Sequence, residues 1–310
     1  MGTHQVSSRW ALPAAALAVL LWSSSYSAMA YALRAFTPGE ISFLRFALAS
    51  AALAVPTCLG WIRLPPRGDW PAVVGLSFLG NVAYQLCLGY ALVHITAGMV
   101  SVVLSMTPAA TSALAVLHLK ERLSTRAVAG LGIAFGGALL VTLGRGRVGH
   151  FESGALLVLL AVLLNAVYFV FQKPLLARNS AIGFTAASTY AAMLGLTPFA
   201  LALPGKLPGV SAAQACSLLY LGVLPTVVGY LCWSWALARA PASRVSNFLY
   251  LLPVSGCAVA WMWLGELPTW PAVMGGVIAL AGVALATAPA GVSRWLAGKF
   301  GGPAPDPGTS

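Results

Sequence analysis

Charge is what this chain has least of. Only 7% of its 310 residues are Asp, Glu, Lys or Arg, six of them acidic, while 59% are hydrophobic. A soluble globular chain carries about a quarter charged residues, so a water-soluble domain is excluded as the main body of this protein. Two aspartates exist, Asp69 and Asp306, both outside the apolar stretches. A membrane-embedded enzyme that holds Mg²⁺ on paired aspartates would lack its ligands. Four histidines (His4, His94, His118, His150) and five cysteines (Cys58, Cys87, Cys216, Cys232, Cys257) are dispersed without metal-ligand spacing. No metal and no other cofactor is therefore expected. A glycine-rich loop ending in Lys-Ser/Thr is also missing, which leaves ATP hydrolysis without its phosphate cradle. The net charge of +11 comes from basic residues scattered singly over the loops rather than in a stripe, so nucleic acid is not an expected partner. A lipid bilayer and a small molecule remain.

What the chain has in abundance is apolar sequence. Ten spans can be drawn, at about 10–33, 38–60, 70–91, 96–118, 125–144, 153–176, 182–203, 212–237, 241–264 and 269–289. The expected fold is an all-α membrane protein of ten transmembrane helices, because a helix satisfies its own backbone in lipid. The second half also repeats the first at a constant offset of 145 residues. Ala91/Ala236, Leu104/Leu249, Pro108/Pro253, Glu121/Glu266, Gly130/Gly275 and Gly137/Gly282 are identical pairs. The proline and glutamate matches weigh most, since two of only six acidic residues pair at this offset. Two five-helix repeats follow, at 1–144 and 153–289, with a tail over 290–310 whose Gly- and Pro-rich end is expected to be disordered. With the N-terminus in the cytoplasm, twelve Lys and Arg fall on the inner side and four (Arg34, Arg145, Arg147, Lys206) on the outer, Arg45 lying within a span. That asymmetry puts both termini in the cytoplasm, and an odd number of spans per repeat makes the repeats inverted.

Pro108 and Pro253 fall near the middle of spans 4 and 9, where a proline would break the helix and free the carbonyls of Leu104 and Leu249. Polar or aromatic side chains gather on one face near them: Ser101 and Ser105 in span 4, Ser246 and Tyr250 in span 9. Similar faces occur at Trp22 and Tyr26, at Asn81, Tyr84 and Gln85, at Asn165, Tyr168 and Gln172, and at Thr226, Tyr230 and Trp233. Such residues either bond helix to helix or line a central cavity. Six faces together fit a small-molecule site with aromatic walls and a few amides and hydroxyls. Arg45 sits about two turns into span 2. Snorkelling to the headgroups or structural pairing is preferred for it over direct substrate binding, the functional alternative being an anchor for a carboxylate or a partner to Glu40 that holds an outer gate. The glycines of spans 5 and 10 read as packing surfaces, between the halves or between the subunits of a homodimer.

The run Trp22-Ser23-Ser24-Ser25-Tyr26, the run Glu40-Ile41-Ser42-Phe43-Leu44-Arg45-Phe46, and the stretch from Tyr90-Ala91-Leu92 through Thr96-Ala97-Gly98 to Met106-Thr107-Pro108 resemble EamA-type members of the drug/metabolite transporter superfamily. So do Leu119-Lys120-Glu121-Arg122-Leu123 and its echo Trp263-Leu264-Gly265-Glu266-Leu267. Asn165 departs from the pattern, where relatives carry Trp. The resemblance implies a basket-shaped ten-helix carrier in the bacterial inner membrane that exports amino acids and other metabolites. Export of a small neutral or zwitterionic metabolite by alternating access is the leading expectation, and the lack of catalytic carboxylates and metal ligands speaks against an enzyme. A non-transporting membrane subunit or sensor on the same fold is the alternative. The topology makes its own prediction: reporter fusions after residue 145 should report outside and fusions after residue 178 inside. The opposite pattern at both sites removes the inverted-repeat arrangement.

Overall fold

The computed structural model describes residues 10–94, 100, 103–143, 153–206, 209–264 and 269–287. Ser101, Glu152, Glu266, Arg145, Arg147 and the tail at 290–310 lie outside them. Every regular element among the described residues is helical. Ten helices follow in order: α1 Ala11–Ala32, α2 Pro38–Cys58, α3 Arg67–His94, α4 Thr107–Leu119, α5 Thr125–Leu143, α6 Ser153–Leu176, α7 Ala181–Leu196, α8 Ala212–Leu237, α9 at 242–264, and α10 Trp270–Thr287. Four are long and apolar enough to cross a membrane: α2, α3, α6 within Leu156–Leu176, and α8. Helices α1, α4, α5 and α10 carry shorter apolar stretches. Around an apolar core, burial departs from that of a soluble bundle in two ways. Leu17, Leu20, Leu117, Leu156, Leu163 and Val277 are exposed, while Asn81, Gln85, Asn165 and Gln172 are buried. That is the distribution of a bundle solvated by hydrocarbon.

Local sequence sets the helix starts. Thr37 and Glu40 form a capping box at α2, Glu40 Oε2 accepting from the Thr37 N–H at 2.7 Å, with Pro38 in the first turn. Ser211 and Gln214 do the same for α8. Lys120, at φ 52°, ends α4 in the left-handed conformation. The first-half helices find their main neighbours in the second half: α1 on α8 and α9, α2 on α7 and α8, α3 on α6 and α7, α4 on α6 and α9, α5 on α10.

The two prolines expected to kink spans 4 and 9 in mid-helix sit instead in the first turn of a helix. Pro108 follows a turn at 105–106 and stands in the first two residues of α4. In α9 a short helix, Ala242–Ser246, gives way to a 3₁₀ stretch, Asn247–Tyr250, and Pro253 lies in the first turn of Leu251–Leu264. The chain does break there, but the proline costs no helical bond, because a first-turn N–H has no partner in any case. The Leu249 carbonyl, expected to be freed, accepts from the Leu251 N–H.

Ion pairs cross the bundle near its two ends. Glu40 of α2 is held by Lys206, with Nζ 2.8 Å from both carboxylate oxygens. Glu121 receives Lys173 Nζ at 3.2 Å and caps the start of α9, accepting from the Ala242 N–H at 2.8 Å and the Ser243 hydroxyl at 2.7 Å. Asp69 pairs with Arg178 at 2.9 Å and accepts from Asn179 at 2.7 Å. Burial pushes the Glu121 carboxyl up, but the bonds from Ser243 and Ala242 and the charge of Lys173 outweigh it and leave its pKa below the ordinary value. The lowered pKa means this tie is fully present above the ordinary carboxylate pKa and is lost only as pH falls through the folded value.

Gly130 and Gly137 of α5 and Gly275 and Gly282 of α10 lie in the contact between the two helices, which assigns these four to the contact between halves. A Cβ on Gly137 would fall 2.6 Å from the Gly275 carbonyl oxygen, and one on Gly130 would fall 2.6 Å from the Ala286 nitrogen. Gly132 and Gly136 have nothing within 4 Å of that position. Gly137→Leu should therefore overpack the seam at a cost of about 1–3 kcal/mol or more, while Gly132→Leu is tolerated. Yield of monodisperse protein and melting temperature in detergent check this. Equal behaviour of the two variants would refute the assignment.

Candidate functional site

A cavity of about 40 Å³ lies at the centre of the bundle, between the helix break before α4 and the one within α9. Two interruptions of regular helix position its walls. Residues Phe78–Ala83 of α3 and Gly222–Gly229 of α8 adopt π-helical turns, a feature common near functional sites. The two turns are themselves related by the 145-residue offset.

In α8 the cause is visible in the sequence. Pro225 has no N–H, so the carbonyl of Leu221, four residues earlier, loses its ordinary α-helical partner. The Thr226 hydroxyl donates to that carbonyl at 2.8 Å. Its oxygen then accepts from Arg45 Nε at 2.5 Å. On the same turn the Pro225 carbonyl accepts from Trp22 Nε1 at 3.0 Å. Gly229 leaves room for that indole, since a Cβ there would approach Trp22 Nε1 to 2.8 Å. Gly222 likewise admits α2, where an added Cβ would meet Leu48 at 2.6 Å.

Four of the expected site residues line the cavity: Trp22, Tyr84, Asn165 and Tyr230. Leu104 and Leu249, flanking the two breaks, line it as well. Trp22 is the centre of the aromatic wall, with ring centroids 5.1 Å from Trp233, 5.4 Å from Tyr230 and 6.4 Å from Phe169. Five other expected residues are placed elsewhere than on the cavity lining. Asn81 donates to Ser188 Oγ at 2.8 Å and to Ser77 Oγ at 3.2 Å, and the Tyr168 hydroxyl reaches Ser188 Oγ at 3.3 Å, so both belong to a polar cluster joining α3, α6 and α7. Trp233 is fully buried behind Trp22 and Phe169. Tyr250 packs at the α5–α10 seam, its ring 6.5 Å from Phe135. Ser105 is buried in the turn before α4. The side chain of Tyr26 lies outside the described residues.

Sequence reading passed over Phe169 and, of the two roles preferred for Arg45, the structure shows structural pairing, with Thr226 as the partner. Phe169 lies four residues after Asn165, so the i,i+4 spacing was the signal, and Tyr168 at i+3 points to the polar cluster instead. Arg45 neither snorkels nor pairs with Glu40. It is 7% exposed, bonds inward to Thr226 and lines the cavity. Three pairs of lining residues, Gln85/Tyr230, Leu104/Leu249 and Thr107/Leu252, are related by the 145-residue offset. No acidic residue is among the described residues of the lining. The arrangement can present a buried cation, two amides and ring faces to a small polar molecule. In this conformation 40 Å³ admits only a few waters.

Comparison with known proteins places this architecture. The EamA-like transporter family matches the chain twice, over residues 9–143 and 152–288, and the protein belongs to that family. A probable terminal-alkyne amino-acid exporter of Streptantibioticus cattleyicolor is 32% identical over 89% of this chain and 92% of its own length. The uncharacterized transporter YdfC of Bacillus subtilis is 31% identical over 86% of this chain and 87% of its own. A probable amino-acid metabolite efflux pump of Salmonella typhimurium is 27% identical over 87% of this chain and 92% of its own. A solved crystal structure, 20% identical, superposes with a TM-score of 0.75 over 91% of this chain and 98% of that one, which shows a shared fold. The protein is thus a multi-pass membrane transporter of the drug/metabolite type.

The placement of the aromatics separates wall from lining. Trp233→Ala should open a void behind Trp22 and cost about 3–5 kcal/mol of stability, whereas Tyr84→Ala, at a half-buried lining position, should lower the melting temperature far less. Thermal unfolding in detergent tests the difference, and the reverse order would contradict this division.

Proposed function

We propose that the protein is a secondary carrier that exports small neutral or zwitterionic metabolites, above all amino acids, across the cytoplasmic membrane by alternating access. The observation that carries this reading is Arg45, a buried guanidinium on the wall of an aromatic cavity. A guanidinium matches a carboxylate in charge and in planar, two-pronged geometry. The ring faces of Trp22, Tyr230 and Phe169 offer a cation–π surface to the ammonium group of the same molecule. The amides of Gln85 and Asn165 supply hydrogen bonds for orientation. The names of two relatives, a probable terminal-alkyne amino-acid exporter and a probable amino-acid metabolite efflux pump, support this substrate class.

The small cavity supports alternating access in turn. An amino acid needs more space than a few waters occupy, so loading requires the helix pairs of the two halves to part. Inverted repeats with both termini in the cytoplasm are the arrangement in which one half rocks against the other around such a site. The glycine seam of α5 and α10 is proposed as the contact that stays closed, which leaves a homodimer to form on other faces.

Exchange or facilitated diffusion is the proposed mode, because no carboxylate that could carry a proton is among the described residues of the cavity lining. Glu40 is committed to Lys206 and the α2 cap, and His94 is exposed at the end of α3. Counterflow of labelled neutral amino acids in proteoliposomes without an ion gradient is the test. Wild-type protein should show it, and Arg45→Gln should lower it by about ten- to a hundred-fold, the weight of one charge-assisted hydrogen bond. Absence of counterflow for every amino acid tried, with folded protein in the vesicles, would favour a non-transporting subunit or sensor. Accumulation that appears only under an imposed pH difference, and disappears in Glu40→Gln or His94→Ala, would overturn the uncoupled mode.

A further inference from the structure

A second cavity, of about 430 Å³, is separate from the central one. It lies where the loop after α4 and the start of α5 meet the start of α9 and the end of α10, and its volume is that of a small-molecule site. Three arginines line it, Arg122 and Arg126 from the first half and Arg244 from the second, and no acidic residue is among the described residues of its lining. None of the three guanidinium groups makes a hydrogen bond or ion pair with another described residue. Glu121, the adjacent acid, is already committed to Lys173, Ala242 and Ser243.

Asn247 gives a second, independent sign of a ligand. It lines the same cavity at 2% exposure, and its side-chain oxygen has no hydrogen-bond partner. Buried amides are rarely left so. A ligand hydroxyl would satisfy the oxygen, and the amide turned half round would offer its N–H groups to an anion. The start of α5 adds unpaired backbone donors and a positive helix end, with Ser124 Oγ accepting from Ala127 N at 3.2 Å. Leu131 and Leu285 make part of the wall apolar.

From these observations we infer that the cavity binds a phosphate group, that of an anionic phospholipid headgroup with its hydrocarbon on the leucine wall. Basic pockets between membrane helices hold such headgroups by this chemistry. The bound phosphate would join Arg126 of α5 to Arg244 of α9 and so tie the two halves at the end of the glycine seam. The inference is independent of what is transported, and binding is read without any flux assay.

Native mass spectrometry of the full-length detergent-purified protein with phosphatidylglycerol or phosphatidylcholine tests it, alongside thermal shift with inorganic phosphate. Wild-type protein should retain phosphatidylglycerol about tenfold more than phosphatidylcholine. The double variant Arg126→Gln/Arg244→Gln should lose that preference, and Arg239→Gln, whose guanidinium lies 4.1 Å over Trp235 and outside the cavity, should keep it. Should the double variant fail to fold, Asn247→Asp, which sets a carboxylate among the arginines, should weaken phosphatidylglycerol retention in its place. A thermal shift with inorganic phosphate that depends on these residues, without lipid preference, would keep the phosphate site and make its ligand soluble. Equal retention of both lipids together with no phosphate-dependent shift in wild-type protein, or binding unchanged in the variants, would refute the site.

Discussion

The indole of Trp22 donates to the carbonyl of Pro225 at 3.0 Å, and the central cavity is arranged around that bond. It exists because a π-turn in α8 places a carbonyl where α1 can reach it, and because Gly229 keeps the approach clear. The same turn positions Thr226 to hold Arg45, so one local departure from α-helix fixes an aromatic ring from α1 and a cation from α2. In a medium without water, each such departure must find its hydrogen bonds inside the protein. The polar site is thus where the bundle settles the bonds its breaks displace.

Packing between halves complements this. Glycine and alanine let α5 and α10 approach until backbone meets backbone, giving a rigid seam away from the cavity. Elsewhere the halves meet through larger side chains and through ion pairs, Glu40 with Lys206 and Glu121 with Lys173. A tight seam beside polar, breakable ties fits the proposed alternating opening. Glu121 illustrates how a single residue serves the fold, neutralising Lys173 while capping a helix of the other half.

Much of the fold was legible because hydrophobic length and proline position are local properties. The ten drawn spans correspond to ten helices, and the helix breaks fall beside Pro108 and Pro253. The site was legible only in part. Trp22, Tyr84, Asn165 and Tyr230 reach the cavity, but Asn81 and Tyr168 turn to Ser188, and Tyr250 turns to the seam. A polar residue on a helical face announces a buried partner without naming it, since a serine on a neighbouring helix and a substrate satisfy an amide equally well.

By itself the sequence determined that the chain lives in lipid, that it is helical, and where its helices break, because each depends on hydrophobicity and backbone chemistry within a short stretch. Tertiary structure decided the fate of Arg45. Its position two turns into a span allowed a path to the headgroups, and only the neighbouring π-turn, with Thr226 aimed at it, drew the guanidinium inward. Tertiary structure also gathered Arg122, Arg126 and Arg244 around one cavity. In the sequence they are scattered basic residues, and their convergence depends on how the start of α5 meets the start of α9, a long-range geometry that no local pattern encodes.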